Sequence, residues 1–412
     1  MADAPTSVRD FAIAQTSGGV AAPAGFRSAA LHCGIKAAAS ALDLTIIASD
    51  EVASAAALFT TNLARAAPVI VSRQQLERSG GRARAIVANS GCANACTGAD
   101  GLANAVRMAA EVAGAIGCPH EQVLVASTGV IGVGLNMDKV AAGIRQAVPS
   151  LDRGRGHETA LAIMTTDPFP KEHAVIVQTS RGSFTVGGTA KGSGMIEPNM
   201  ATMLGFLTTD AQVPPPLLHR ALQRSSRDTF NAITVDGECS TNDSVFVLAS
   251  GAAGVTIDDD SYPALLEGLQ TVSRELAIGI VRGGEGATKL ITVTVSNSGT
   301  DEDARRVART IANSPLVKTA VHGGDPNWGR IVAAAGRSGV TFDVNRATVS
   351  VGGILLFENG LPHDDRATVA ADHLKGRDVH IDVTLGTGDR AATIWTCDLS
   401  AEYVRINGEY RT

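Results

Sequence analysis

The sequence predicts a mixed α/β or α+β protein built from layers of helices and strands. Amphipathic helical segments alternate along the chain with short β-branched segments, and neither an internal repeat nor a low-complexity linker interrupts them. The 412 residues are enough for one large or two ordinary domains. Because only 4% of them are aromatic, the core must consist mainly of Ala, Val, Ile and Leu.

Four segments have the apolar periodicity of an amphipathic helix. In the first, apolar residues recur every three or four positions from Leu102 to Ile116, with Asp100 as the candidate N-cap and Gly117 as the stop signal. The second begins after three prolines, residues 214–216, and its pattern continues to Phe230. The other two span residues 265–280 and 304–311.

Short β-branched runs predict the strands. They are VLVAS (123–127), FTVGG (184–188), SVFVLAS (244–250) and KLITVTV (289–295). Past residue 340 the chain becomes rich in strands, with ATVSVGG, VHIDVTLG and AATIWTC. The polar stretch at residues 298–303 is a candidate domain boundary.

Charge and hydropathy exclude two classes of partner. The formal net charge is −6 and no block is rich in Lys or Arg, so we expect no nucleic-acid partner. No stretch approaches the roughly 18 apolar residues of a membrane span, and MADAPTSVRDFAIAQ at the start lacks the apolar region of a signal peptide. We therefore predict no membrane association and a cytoplasmic location.

The six cysteines do not indicate a disulfide framework or a metal site. They stand at positions 33, 92, 96, 118, 239 and 397, and only Cys92 and Cys96 are close together. Their CxxxC spacing is a weak metal signal. We predict reduced thiols, no metal and no cofactor.

Five segments are too rich in glycine and small polar residues to be explained by packing alone. They are NSGCANACTG (89–98), ASTGVIG (126–132), KGSGMIEPNMATML (191–204), TVDGECSTND (234–243) and GGEGATKL (283–290). Glycine lets backbone N–H groups approach a ligand, and such groups stabilise developing negative charge. The segments therefore predict a site built from loops.

No common nucleophile motif is present. The chain lacks GxSxG, HExxH, a complete GxxxxGK[ST] and a GxGxxG after a strand, and its nine histidines are scattered. A Ser-His-Asp triad stays open, although nothing favours one. An N-terminal threonine exposed by an internal cut would also serve, because its own α-amino group acts as the base.

KGSGMIEPNMATML resembles the signature of the glutamate N-acetyltransferase/ornithine acetyltransferase family of arginine biosynthesis. Further segments resemble that family in the same order, so the resemblance covers nearly the whole chain. They are GIKAAASALDLTIIASD (34–50), NSGCANACTG, ASTGVIG, IMTTDPFPKE (163–172), FNAITVDGECSTND (230–243), EGATKL, DPNWGRIVAA (325–334) and YVRINGEYRT (403–412).

The resemblance implies self-cleavage between Ala201 and Thr202, with Thr202 then acting as the nucleophile. Transfer of acetyl from N-acetylornithine to glutamate would pass through an acetyl ester of Thr202. Thr128 and Gly129 would form the oxyanion hole. The substrate contacts carried over are Thr165, Thr166, Lys191, Thr202, Glu285, Asn407 and Thr412. Whether acetyl-CoA is a second donor is left open.

The resemblance also implies the chain organisation. An α chain (1–201) and a β chain (202–412) would form a layered α/β sandwich, with a smaller C-terminal α/β domain from about residue 300, and would assemble as α2β2 or higher. Four positions depart from the family pattern: Cys92, Pro168, Cys239 and Gly284. None of them coincides with Thr202 or Lys191.

Two other functions compete with acetyl transfer. An N-terminal-nucleophile amidase or aminopeptidase would cleave itself in the same way but use water as the acceptor. An uncleaved binding or structural protein is the alternative from another class, and the intact Ala201-Thr202 pair argues against it. A denaturing gel separates that last alternative from the other two.

Overall fold

The computed structural model describes residues 11–197 and 203–409, and these residues form two β-sheets with helices packed on them. Within those ranges the larger sheet has nine strands. They are β1 (Phe11–Thr16), β2 (Phe26–Leu31), β3 (Leu44–Phe59), β4 (Arg82–Cys92), β5 (Val123–Val130), β6 (Lys171–Thr179), β7 (Gly182–Lys191), β8 (Leu204–Thr209) and β9 (Ser244–Ala249).

The second sheet has six strands in the described part of the chain. They are β10 (Leu290–Ser298), β11 (Thr348–Val351), β12 (Ile354–Glu358), β13 (Leu361–Pro362), β14 (Asp378–Thr384) and β15 (Arg390–Cys397). The helices are α1 (Ala67–Arg78), α2 (Gly98–Ile116), α3 (Met137–Ala147), α4 (Gly156–Ala162), α5 (Pro215–Arg227), α6 (Tyr262–Arg282), α7 (Asp301–Ala312), α8 (Pro315–Gly323), α9 (Trp328–Gly336), α10 (Ala367–Leu374) and α11 (Ala401–Glu409). None of these is long and apolar enough to cross a membrane.

The predicted helices correspond to α2, α5, α6 and α7, with differences at two ends. Gly117 ends α2 in the left-handed conformation, as predicted, with φ 72°. The predicted N-cap is wrong, because α2 already begins at Gly98 and Asp100 lies in its first turn. Helix α5 ends at Arg227, and Phe230 lies in a separate short turn.

The larger sheet runs in the order β1-β6-β7-β8-β9-β3-β4-β5, with β2 paired to β3. Strand β3 shifts register between Ala48 and Ala53. It pairs with β4 on both sides of that shift, and with β9 from Ser54 onward. The long strand therefore joins two halves of the sheet.

Alternation of side chains along the strands separates two faces of this sheet. Ile86 and Leu124 of one half pack with Phe206 and Phe246 of the other half in a cluster that lies between the two halves. The opposite faces carry α5 and α6 on one half and α2 and α3 on the other. The prediction of a layered α/β sandwich is confirmed.

The second sheet runs in the order β13-β12-β11-β14-β10-β15 and has a core of its own with α7 and α9. The predicted richness in strands past residue 340 is confirmed. Strand β10 already belongs to this sheet, although it precedes the candidate boundary at 298–303. The division of the chain into domains stays a prediction.

Candidate active site

All five glycine-rich polar segments meet at one cavity of about 130 Å³. Each contributes lining residues, although the segments are spread over almost 200 positions of the sequence. Seven of the predicted site residues line it: Thr128, Gly129, Thr165, Thr166, Lys191, Glu285 and Asn407. Ala201, Thr202 and Thr412 lie outside the described residues. The fold therefore brings together every predicted residue whose position is described.

Thr128 and Gly129 lie within strand β5, which continues to Val130 and pairs with β4 beyond the predicted end at residue 127. Gly129 has φ 128°, and a Cβ built there would lie 2.4 Å from the carbonyl carbon of Gly91. Only glycine fits this close approach of two backbones. The half-buried hydroxyl of Thr128 makes no hydrogen bond to another described residue, which leaves it available to a ligand.

Asn242 holds the end of β5 in place. Its side-chain amide donates to the carbonyls of Ala93 (2.6 Å) and Ser127 (2.9 Å). Because both amide hydrogens are used, the strand end and the loop after β4 are tied to one buried side chain. Sequence reasoning missed Asn242, although it placed the surrounding TVDGECSTND segment in the site.

Lys191 is the last residue of β7, and only 5% of it is exposed. Its ammonium has no hydrogen bond or ion pair with a described residue, while its side chain lines the cavity. Burying an ammonium that makes no hydrogen bond is costly. The arrangement therefore favours an anionic ligand group at Lys191.

Asp167 organises the surroundings of Lys191, and sequence reasoning missed this residue too. Its carboxylate accepts from the Lys171 ammonium (2.6 Å), the Gly192 amide (2.7 Å) and the Thr165 amide (3.0 Å). Burial alone would raise the pKa of Asp167, but the charges of Lys191 and Lys171 outweigh it and lower this pKa to about 2. One ionised carboxylate thus fixes both the Thr165 loop and the end of β7.

The low pKa of Asp167 predicts a pH dependence of stability. Asp167 binds its proton more weakly in the folded than in the unfolded chain, whose aspartate pKa is about 3.9. The contribution of ionised Asp167 to the free energy of unfolding is therefore complete above the unfolded-state pKa. It is lost as the pH falls through about 2. Over this range we expect a loss of about 2 kcal/mol of unfolding free energy in the wild type that Asp167→Asn does not show.

Urea unfolding at a series of pH values measures this difference. Asp167→Asn should also be less stable at neutral pH, because it leaves the Lys171 ammonium buried without its carboxylate. Asp138→Asn is the matched control, since the Asp138 side chain is 94% exposed. Equal pH slopes for wild type and Asp167→Asn would contradict the assignment.

Glu285 and Asn407 form a hydrogen-bonded pair that also lines the cavity. The Asn407 amide donates to Oε2 of Glu285 at 2.8 Å, and Glu285 is only 7% exposed. A Cβ on Gly194 would lie 2.3 Å from the same carboxylate, so glycine at 194 makes room for it. Helix α11, which carries Asn407, therefore closes the site and orients Glu285.

Tyr403 links helix α11 to the segment that follows β7. Its hydroxyl donates to Oδ2 of Asp236 at 3.2 Å, and Asp236 accepts from the backbone amides of Met195 (2.6 Å) and Ile196 (2.8 Å). Burial and the Asp236 carboxylate raise the pKa of Tyr403, which keeps the phenol protonated as a donor. Tyr403 and Asp236 both line the cavity and were not singled out from the sequence.

The departures from the family pattern have local explanations at two positions. The thiol of Cys92 donates to the Val133 carbonyl at 3.3 Å, and burial raises its pKa. A Cβ at Gly284 would lie 3.1 Å from Sγ of Cys397, so a larger residue at 284 would crowd this thiol and glycine avoids that contact. All six thiols are free, and no group of three metal-ligating side chains occurs in the described part of the chain.

A family model, curated relatives and a solved structure identify the family of this chain. The ArgJ family model matches residues 27–412. The chain is 48% identical over 400 residues to the arginine biosynthesis bifunctional protein ArgJ of Symbiobacterium thermophilum, covering 96% of this chain and 99% of that protein. Its identity to the protein of the same name from Chlorobaculum tepidum is 47% over 395 residues, covering 95% and 96%. A crystal structure of ArgJ from Bacillus halodurans is 42% identical with a TM-score of 0.50, covering 51% of this chain and 100% of that chain.

Proposed function

Because the chain belongs to the ArgJ family, we propose that it transfers the acetyl group of N-acetylornithine to glutamate through an acetyl ester of Thr202. The chain is an acyltransferase of arginine biosynthesis. One observation supports the proposed site above all others. The buried ammonium of Lys191, which has no hydrogen bond or ion pair with a described residue, and the buried carboxylate of Glu285 line a single cavity with the Thr128 hydroxyl. N-acetylornithine carries the two complementary charges, an α-carboxylate and a side-chain ammonium.

Thr202 would first attack the Ala201 carbonyl, and water would open the resulting ester to give two chains. The half-length of the solved ArgJ chain supports such a cut near the middle, since 51% of this chain covers it completely. The freed α-amino group of Thr202 would then activate its own hydroxyl, because its ordinary pKa of roughly 7.7–8.0 lies near neutral pH.

Thr128 and Gly129 would stabilise the oxyanion that forms in both half-reactions. The hydroxyl of Thr128 and the backbone N–H of Gly129 are the proposed donors. Their rigid placement on a paired strand supports this role, since a donor that does not reorganise during the reaction is the effective kind.

The charges of the site divide the substrate contacts. Both amino acids carry an α-carboxylate, and Lys191 is suited to that shared group. Only ornithine carries a side-chain ammonium. The carboxylate of Glu285, which Asn407 orients, is suited to bind that ammonium. Thr165 and Thr166 line the same cavity as further contacts, and Thr412 is proposed as another contact from the sequence alone.

The two half-reactions test this division separately. Glu285→Gln should slow acetylation of Thr202 by N-acetylornithine by tenfold or more and leave deacetylation by glutamate nearly unchanged. Lys191→Met should impair both steps. The loss of one charged contact in a partly desolvated site corresponds to about 1–3 kcal/mol. Single-turnover measurements on isolated, already cleaved protein give each rate, because Lys191→Met could also slow the cut.

Glu238→Gln is the matched control for charge. Glu238 lines the same cavity but is exposed, so its loss should change neither rate more than a few-fold. Equal damage by Glu285→Gln to both half-reactions would reject the ammonium assignment.

The acceptor and the donor need tests of their own. Release of free acetate without glutamate would favour an amidase over a transferase, because a transferase must keep water from the ester. A steady-state assay with N-acetylornithine and acetyl-CoA in turn decides whether acetyl-CoA is a second donor. Assembly as α2β2 or higher, and a cytoplasmic location, are further proposals.

A further inference from the structure

A second cavity, of about 530 Å³, lies where the end of helix α5 meets helix α7. Among the described residues, it shares no lining residue with the acyl-transfer cavity. In the described part of the chain, five arginines line it, against two carboxylates, Glu197 and Glu302. The arginines are Arg227, Arg305, Arg306, Arg309 and Arg337.

Two of these guanidinium groups already have acidic partners. Arg305 pairs with Asp228 at 2.7 Å, and Arg309 pairs with Glu197 at 3.2 Å. Both pairs are more than three-quarters buried on the arginine side. They form a fixed wall of the cavity.

The other three guanidinium groups give the cavity its unbalanced charge. Arg227, Arg306 and Arg337 are exposed, and none of them forms an ion pair with a described residue. One nitrogen of Arg337 donates to the Thr310 carbonyl at 3.3 Å, which directs this side chain along α7. Three cations thus line one cavity, and among its described lining residues Glu302 alone has a carboxylate that is not already paired with an arginine.

We propose that this cavity binds a ligand carrying two or more phosphate groups. Guanidinium groups match phosphate oxygens with paired hydrogen bonds, and several of them together need more negative charge than one carboxylate brings. The volume lies within the roughly 300–1,000 Å³ typical of small-molecule sites. The site goes beyond the acyl transfer proposed above, since neither N-acetylornithine nor glutamate carries phosphate.

The two cavities are lined by neighbouring parts of the chain. Asn313 lines the arginine cavity, and its side chain lies 3.9 Å from the Cβ position of Gly237. The neighbours of this glycine, Asp236 and Glu238, line the acyl-transfer cavity. The phosphate groups can therefore come from a free nucleotide or from coenzyme A, and the experiment separates these sources.

Calorimetric titration of the purified enzyme with pyrophosphate tests the proposal. We expect saturable binding to one site per chain pair, weakened by added NaCl and unchanged by saturating N-acetylornithine. Arg306→Gln and Arg337→Gln should each weaken binding by about tenfold. Arg274→Gln is the matched control, because Arg274 is exposed on α6 and lies outside the cavity. Tighter binding of coenzyme A than of ADP identifies coenzyme A as the source, and the reverse identifies a free nucleotide.

Three results would overturn the proposal. The first is that pyrophosphate shows no saturable binding. The second is that Arg306→Gln and Arg337→Gln bind pyrophosphate as tightly as Arg274→Gln does. The third is that light scattering shows the assembly dissociating when Arg306 is replaced by Gln. The last result would make the cavity an interface between copies of the chain. Thermal melting checks that each variant is folded, and Arg227→Gln replaces any variant that is not. Because binding is measured without turnover, failure here leaves the acyl-transfer proposal untouched.

Discussion

Thr202→Ala should remain one uncut chain and should have no acetyltransferase activity. The wild-type enzyme should give fragments 1–201 and 202–412, and Edman sequencing of the second should begin Thr-Met-Leu-Gly. The reason is that one hydroxyl performs both reactions: it attacks the Ala201 carbonyl first and the acetyl carbonyl afterwards. A denaturing gel and a steady-state assay measure the two losses.

Thr202→Ser is the control for this prediction. It keeps a hydroxyl at the same position, so it should still cut itself and retain part of the activity. If Thr202→Ala is cut at the same bond, a different group performs the cleavage and the mechanism fails. If Thr202→Ala stays uncut but transfers acetyl normally, Thr202 has no role in the acyl-enzyme.

Thr128→Ala should lower kcat by about 10²-fold or somewhat more, the usual effect of removing one oxyanion-hole donor. Its effect on the melting temperature should be small, because the Thr128 hydroxyl bonds to no other described residue. Thr128→Ser keeps the donor and should recover most of the rate. Activity within a few-fold of wild type would show that Thr128 is not a donor.

Gly129 cannot be tested by side-chain replacement in the same way. A methyl group there would lie 2.4 Å from the Gly91 carbonyl carbon and 2.6 Å from the Cys92 nitrogen. Gly129→Ala should therefore disrupt the pairing of β4 with β5, and this structural damage would mask any effect on catalysis. For this reason, Thr128 is the informative position of the pair.

Much of the fold could be predicted from local pattern. The 3.6-residue period of α6 and the β-branched runs of β9 and β14 are local properties, and they correspond to elements of the structure. The ends of elements were less predictable. Asp100 has the chemistry of an N-cap, but the chain is already helical two residues earlier. Strand β5 continues to Val130 because Gly91 and Gly129 allow its backbone to pair closely with β4.

The candidate site could be predicted in part for a similar reason. Composition alone identified five segments that packing does not explain, and these segments meet at one cavity. The roles given to Thr128, Gly129 and Asn407 came from the family resemblance, because no residue pattern distinguishes them. Asn242 was missed because its partners are distant in sequence, and the link from Asp167 to Gly192 was missed for the same reason. Gly192 is 25 positions from Asp167, and Ala93 is 149 positions from Asn242.

Intact mass spectrometry of the 202–412 fragment tests acetyl transfer through Thr202 most directly. Cleaved enzyme is mixed with N-acetylornithine in the absence of glutamate, quenched, and weighed. We expect the mass of one acetyl group on this fragment, mapped to Thr202, and its loss as N-acetylglutamate when glutamate is added. Two results would contradict acetyl transfer through Thr202. In one, the fragment stays unmodified while product forms; in the other, the acetyl group leaves as free acetate equally fast without glutamate.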